Sequence, residues 1–253
     1  TYLRASFGQG YRYPSIAEKY ASTTLGSVKI IPNPGILAEK GWSTELGVKQ
    51  AFLLGKTAGQ ADLSFFLMQN SNLIEFLFAS YHGEGVGFRA DNLEQARIYG
   101  SEFEFAFETR LNRVNISSTG GYAYTFPRDI SNRYSDKIVF LKYRRKHSVK
   151  LYVNSSWKSF TLGSGLNIRS KILNIDNVFL EPLTRELFLP GFYEYWNRNN
   201  RGHAVLDVSA GYIISPRLNL SFVVKNFTNT EYMGRPGDIQ PHRNFSIRLS
   251  GNL

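Results

Sequence analysis

The sequence predicts an all-β fold: a transmembrane antiparallel β-barrel wall of about ten strands. Three observations carry this. About ten short segments alternate apolar and polar residues with period two, the signature of strands with one apolar face. The links between them are alternately long and short, at roughly 9–41, 53–59, 77–95, 109–113, 127–145, 157–159, 173–202, 214–217 and 228–242. Aromatic residues collect at the segment ends. Membrane barrels keep long loops on the outer rim, tight turns on the periplasmic rim and an aromatic girdle at each interface. A soluble sandwich has no reason to segregate its loops this way.

In the first segment, Leu3, Ala5 and Phe7 oppose Tyr2, Arg4 and Ser6. Next, Thr44, Leu46 and Val48 oppose Glu45, Gly47 and Lys49, and the series Ala61, Leu63, Phe65, Leu67 follows. Phe103, Phe105 and Phe107 alternate with Glu102, Glu104 and Glu108. Val149, Leu151 and Val153 alternate with Ser148, Lys150 and Tyr152, and Leu166 and Ile168 with Asn167 and Arg169. Leu206, Val208, Ala210 and Tyr212 oppose Asp207, Ser209 and Gly211. Leu220, Phe222 and Val224 oppose Ser221 and Lys225. Phe245, Ile247 and Leu249 oppose Ser246, Arg248 and Ser250, with Leu253 continuing the apolar face. The second face suits a wet or plugged lumen. Phe52, Phe107, Trp157, Phe160 and Tyr212 fall near short turns; Phe7, Trp42, Tyr99 and Tyr124 fall near long links. The helix-like stretch is 15–21, after Pro14.

Composition narrows the function classes. No window approaches 18 consecutive apolar residues, so a membrane helix is excluded, whereas a spanning strand needs only about 9–11 residues with every second one apolar. There is no cysteine, which removes disulfides and thiol chemistry. The net charge of +10 is dispersed through strands and loops rather than held on a basic helix. That dispersion argues for an anionic membrane surface such as lipopolysaccharide, or an anionic ligand, and against nucleic acid. Residues 142–146 (Lys-Tyr-Arg-Arg-Lys) read as a basic rim facing lipopolysaccharide or ligand. No signal peptide opens the chain, so a mature or truncated protein is expected.

Enzymatic and metal chemistry find little support. His203 and Asp207 share a strand face but stand about 13 Å apart by strand rise, and no Gly-x-Ser-x-Gly elbow occurs. His82 is the free candidate for a metal or haem ligand. No catalytic residue, metal site or cofactor is expected. An outer-membrane hydrolase and a soluble β-sandwich binding module remain as alternatives.

Specific motifs add a resemblance. Leu3-Arg4-Ala5-Ser6-Phe7-Gly8 runs into Tyr11-Arg12-Tyr13-Pro14, then Asn33-Pro34, Glu39-Lys40 and Ser43-Thr44-Glu45-Leu46-Gly47-Val48-Lys49. Tyr99-Gly100-Ser101-Glu102, Val224-Lys225-Asn226-Phe227 and Arg243-Asn244-Phe245 follow. In this order and spacing the chain resembles the C-terminal half of the barrel of TonB-dependent outer-membrane transporters. The last residues, Ser250-Gly251-Asn252-Leu253, depart from the aromatic end usual in the family.

The resemblance implies that residues 1–253 are the C-terminal portion of a 22-stranded barrel, with the plug domain and N-terminal barrel half outside this chain. It implies an importer of a scarce nutrient in the bacterial outer membrane, energised by the TonB complex acting on the plug, with ferric siderophore or a similar chelate, cobalamin, haem and oligosaccharide all open as substrate. Arg4, Glu45, Lys49, Glu102, Glu104, Lys150, Arg169 and Asp207 would face the plug. The unusual segment 188–201 carries five aromatics and two arginines. Tyr193, Tyr195, Trp196, Arg198 and Arg201 in it are the candidates for substrate contact, since rings and guanidinium groups stack on flat ligands.

Overall fold

The computed structural model describes residues 1–25, 28–131, 137–235 and 237–251. Its strands are β1 (Tyr2–Arg12), β2 (Thr23–Leu25), β3 (Val28–Ile31), β4 (Glu39–Leu54), β5 (Thr57–Tyr81), β6 (Gly85–Leu111), β7 (Val114–Asp129), β8 (Val139–Phe140), β9 (His147–Trp157), β10 (Phe160–Arg169), β11 (His203–Ser215), β12 (Leu218–Lys225) and β13 (Asn244–Gly251). Helices α1 (Ile16–Tyr20), α2 (Arg185–Phe188) and α3 (Phe192–Asn199) and a 3-10 turn at Asn177–Phe179 lie in the links. No helix is long and apolar enough to cross a membrane.

Ten strands form one antiparallel meander in the order β1-β4-β5-β6-β7-β9-β10-β11-β12-β13. Each strand pairs with the next along this path, and β1 and β13 are its two edges. The expected Leu253 lies outside the described residues.

The register keeps the two faces apart across the whole sheet. One row runs Leu3, Val48, Leu63, Phe103, Tyr122, Val149, Ile168, Ala204. The neighbouring row, on the other face, runs Tyr2, Lys49, Asp62, Glu104, Gly121, Lys150, Asn167, Val205. A slip of one residue would exchange the faces, so the apolar pattern fixes the register. The apolar face ends in paired aromatic rings. Trp157 and Phe160 lie 6.3 Å apart, and Phe160 and Tyr212 4.9 Å apart, at the short-turn rim. Phe7 and Trp42 (6.3 Å) and Tyr99 and Phe126 (5.0 Å) mark the other rim.

Four tight turns close the lower rim, at 55–56, 112–113, 158–159 and 216–217. Positive φ at Gly55 (60°), Asn112 (54°) and Lys158 (52°) is the left-handed geometry that reverses a hairpin within two residues. With the long links outside the cell, Lys56 and Asn112 face the periplasm. A cysteine at Lys56 in the full-length protein should stay unlabelled by an impermeant thiol reagent on intact cells, while one at Arg144 labels. Labelling of Lys56→Cys would invert the topology.

The long links carry structure of their own. The link expected at 77–95 is a hairpin: β5 and β6 stay paired up to Tyr81 and Gly85, with His82 exposed in its turn. The sequence hides this because Leu73–Tyr81 repeats apolar residues on both faces. The first link folds down on that hairpin through parallel pairing of β3 with β6 and a small core of Ile36, Ile74 and Ala90. Asn33 Nδ2 donates to the Ala90 carbonyl (2.9 Å) and Asp91 Oδ1 (2.8 Å). Helix α1 confirms the expected helix at 15–21. Ser15 and Glu18 form a reciprocal capping box, and Arg12 ties Glu18 (3.0 Å) to Glu39 (2.8 Å) at the rim.

Candidate functional site

The polar face and the outer-rim links make the two parts of the candidate site. All eight residues expected in the lumen share the polar face by register. They form local groups rather than one cluster. Arg4 Nε donates to Glu45 Oε1 (2.8 Å), and Arg4 Nη1 donates to both oxygens of Asp62 (2.8 and 2.7 Å). Gly47 makes room for this: a Cβ there would come within 2.7 Å of Arg4 Cζ. Asp62 was not singled out in the sequence, although its alternation with Ala61 and Leu63 carried the signal. Lys49, Asp62, Glu104 and Lys150 line one depression on this face. Glu102 lies two rows away on the same face, across from Ser64.

Arg169 and Asp207 belong to a second depression, of about 550 Å³, higher toward the long links. Arg145, Asn167, His203, Lys225 and Asp238 share its lining. Asp207 Oδ1 accepts the backbone N–H of Asn226 (2.8 Å), and Asn226 in turn fixes the link after β12 through Thr230 and Pro241 carbonyls. Arg145 reaches the carbonyls of Ser170 and Met233; burial lowers its pKa, with Arg169 adding repulsion. Cations thus outnumber carboxylates in this lining, which makes it receptive to an anionic group.

Two of the four histidines make ring or hydrogen-bond contacts. His203 lies against the Tyr232 ring (4.4 Å between centroids), and Tyr122 Oη meets His147 Nδ1 at 2.9 Å. Among the described residues no group of His, Cys, Asp and Glu is arranged to hold a metal.

The basic rim expected at 142–146 is split by the fold. Lys142 and Tyr143 both donate to the buried carboxylate of Asp176, and burial, then Asp176, raises the Tyr143 pKa. Arg145 turns to the lumen side and Lys146 outward, over Phe126 and Phe140 (4.9 and 4.7 Å to the ring centroids). Only Arg144 of the four cations is exposed.

The segment 188–201, read from sequence as a loop, contains helix α3. Phe192 and Trp196, four apart, bury on one side of it with Ile172, Ile175 and Met233. That i, i+4 spacing after Pro190-Gly191 was the available signal. Trp196 is 8% exposed, so its ring supports the link and faces no ligand. Asn200 clamps the helix end by bonding both the N–H and the carbonyl of Ile172 (2.8 and 2.9 Å). Tyr195 is half-buried and donates to Glu231; burial, then Glu231, pushes its phenol up to about 12. Tyr193 is half-exposed beneath the Arg185 guanidinium (4.0 Å). Arg198 and Arg201 are exposed.

A meander with one lipid-facing apolar side, one charged side and segregated rims is the wall of an outer-membrane barrel. The chain belongs to the TonB-dependent receptor-like β-barrel family, whose model matches residues 1–227. Its fold is similar to that of the copper transporter OprC (TM-score 0.68, 17% identity, 99% of this chain and 37% of that one). It is also similar to the siderophore receptor PirA from Pseudomonas aeruginosa (0.59, 14%, 98% and 39%). A third similar structure is the Serratia marcescens hemophore receptor HasR, solved as a double mutant with its hemophore HasA and heme (0.61, 15%, 98% and 37%). The chain therefore spans well under half the length of these structures. No curated protein matches the sequence. The protein is an outer-membrane receptor barrel, with its long links extracellular.

Proposed function

We propose that this chain is the C-terminal part of the barrel of an active importer of a scarce nutrient, a ferric siderophore or similar chelate. In this reading a plug domain and an N-terminal barrel half complete the protein. The observation that carries it is the sheet itself. It offers a continuous charged face and two edges, β1 and β13, and lipid tolerates no unpaired edge. Strands from the same protein would close the barrel. A plug would sit against the charged face, meeting Lys49, Glu104 and Lys150 low down and Arg169 and Asp207 near the mouth. Arg4 and Glu45 would act within the wall, since each already has a partner. The barrel does no covalent chemistry; the TonB complex would supply energy through the plug. The hydrolase alternative has no support in the histidine contacts described above.

Substrate would first meet the outer link. Tyr193, Arg198 and Arg201 are placed for contact, Tyr195 lends a half-buried ring edge, and Trp196 holds the helix beneath them. The cationic lining of the mouth depression favours an anionic chelate over a neutral one. The test is binding of ferric hydroxamate and ferric catecholate chelates to the full-length protein. Tyr193→Ala with Arg198→Ala should weaken binding of the recognised chelate by about tenfold or more, as for truncated hot-spot residues, with normal assembly. Unchanged affinity for every chelate that binds would leave this link a lid.

A further inference from the structure

The outward face of the sheet carries a second charged feature, separate from the lumen. Two residues above the stacked pair Tyr99 and Phe126, the register places Arg97 directly opposite Arg128, both on the lipid-facing side. Lys146 reaches the same patch from the adjacent link, its ammonium over Phe126 and Phe140. Phe140 in turn is the register partner of Arg128. Like charges directly opposite each other across a strand pair repel. Among the described residues this row (Trp42, Gln69, Arg97, Arg128, Phe140) carries no carboxylate, and Asp129 in the next row lies by strand alternation on the opposite face, where it accepts the backbone N–H of Ser131 (2.9 Å).

Neutral partners do not satisfy these cations. Gln69 Oε1 accepts both Nε (3.2 Å) and Nη2 (2.8 Å) of Arg97, leaving Nη1 without a hydrogen bond among the described residues. Arg128 Nε is buried with no partner there either. The patch is thus three cations, two on paired strands and one on the adjacent link, facing away from the barrel, immediately beyond the aromatic girdle that marks the membrane interface. An anion bridging the two guanidinium groups would turn the repulsion into paired, charge-assisted hydrogen bonds, for which arginine forks and phosphate oxygens have matching geometry.

We propose that Arg97, Arg128 and Lys146 form a clamp for the phosphate of a phosphorylated glycolipid headgroup in the outer leaflet. A lipid-bound phosphate is the occupant because the patch faces the membrane and stands at headgroup height. A soluble anion would have reason to meet the lumen face instead. The clamp rests on the outer-membrane location and is independent of the transport reading.

The experiment uses the full-length protein purified from outer membranes in mild detergent, with co-purifying phosphorylated glycolipid quantified by mass spectrometry. Arg97→Gln with Arg128→Gln should reduce the retained glycolipid about tenfold or more, the loss expected for two charge-assisted hydrogen bonds. Arg97→Lys with Arg128→Lys should retain part of it. Lys158→Gln, at the opposite rim, should change nothing. Heat-modifiable migration on gels checks that each variant is assembled, and chelate binding should stay at the wild-type level. Delipidated protein should rebind the glycolipid and not its dephosphorylated form. Equal retention by wild type and the Gln pair would overturn the clamp. So would equal rebinding of the dephosphorylated lipid, or displacement of the lipid by inorganic phosphate, which would mark a site for a soluble anion.

Discussion

Replacing Phe105 by arginine should destabilise the barrel by about 2–4 kcal/mol, the depth-dependent cost of a cation on the lipid face near the bilayer midplane. Phe105 sits in the middle of the apolar stripe of β6, stacked on Phe107 (6.0 Å) and beside Phe103 (6.2 Å). Its ring also covers Gly120 on β7, where a Cβ would come within 2.5 Å of it. The substitution therefore loses ring packing, uncovers the glycine backbone and drives a guanidinium into hydrocarbon. The adjacent Glu104→Arg should cost far less. Its side chain turns to the opposite face, in the wet depression with Lys49, Asp62 and Lys150. Refolding of the full-length protein into bilayers measures both. Equal costs would mean that the two faces do not divide lipid from lumen.

Trp196→Ala should destabilise the fourth long link by about 3–5 kcal/mol, the range for deleting a buried Trp or Phe side chain. The ring lies 5.8 Å from that of Phe192, within the core that Ile172, Ile175 and Met233 complete. This core sits outside the membrane, so the loss should stay local. Hydrogen exchange of residues 172–200 should rise sharply while strands β9 to β12 keep their protection. Tyr193→Ala, on a half-exposed ring of the same helix, should leave the exchange nearly unchanged. If Trp196→Ala left the link as protected as wild type, the core would not be what holds it. The distinction matters for function, because a Trp196 variant with reduced uptake would report a collapsed link and not a lost ligand contact.

Most of the barrel was legible in the sequence because lipid imposes a strict rule on a strand. Every second residue from Phe103 to Phe107 must be apolar, and the intervening Glu102 and Glu104 must then face the lumen. The same rule located the four tight turns, where Gly55 and Asn112 supply the left-handed backbone. It failed above the membrane. There β5 and β6 continue to Tyr81 and Gly85 without clean alternation, because both of their faces meet protein or water. The candidate site was legible only as composition. The clustering of rings at 188–201 was visible, but which rings turn inward was not.

The sequence by itself determined the ten strands of the meander, the assignment of their faces and the membrane setting, since each follows from period-two spacing that pairing with a neighbour can only preserve. Only the tertiary structure decided the rest. It paired Arg4 with Asp62, 58 residues away. It drew Lys142 and Tyr143 onto Asp176, and buried Trp196 while leaving Tyr193 and Arg198 outward. It also set Arg97 against Arg128 beyond the girdle. These are contacts between segments far apart in the chain. Local spacing places a side chain on a face, but its partner is chosen by the strands and links that the fold brings alongside.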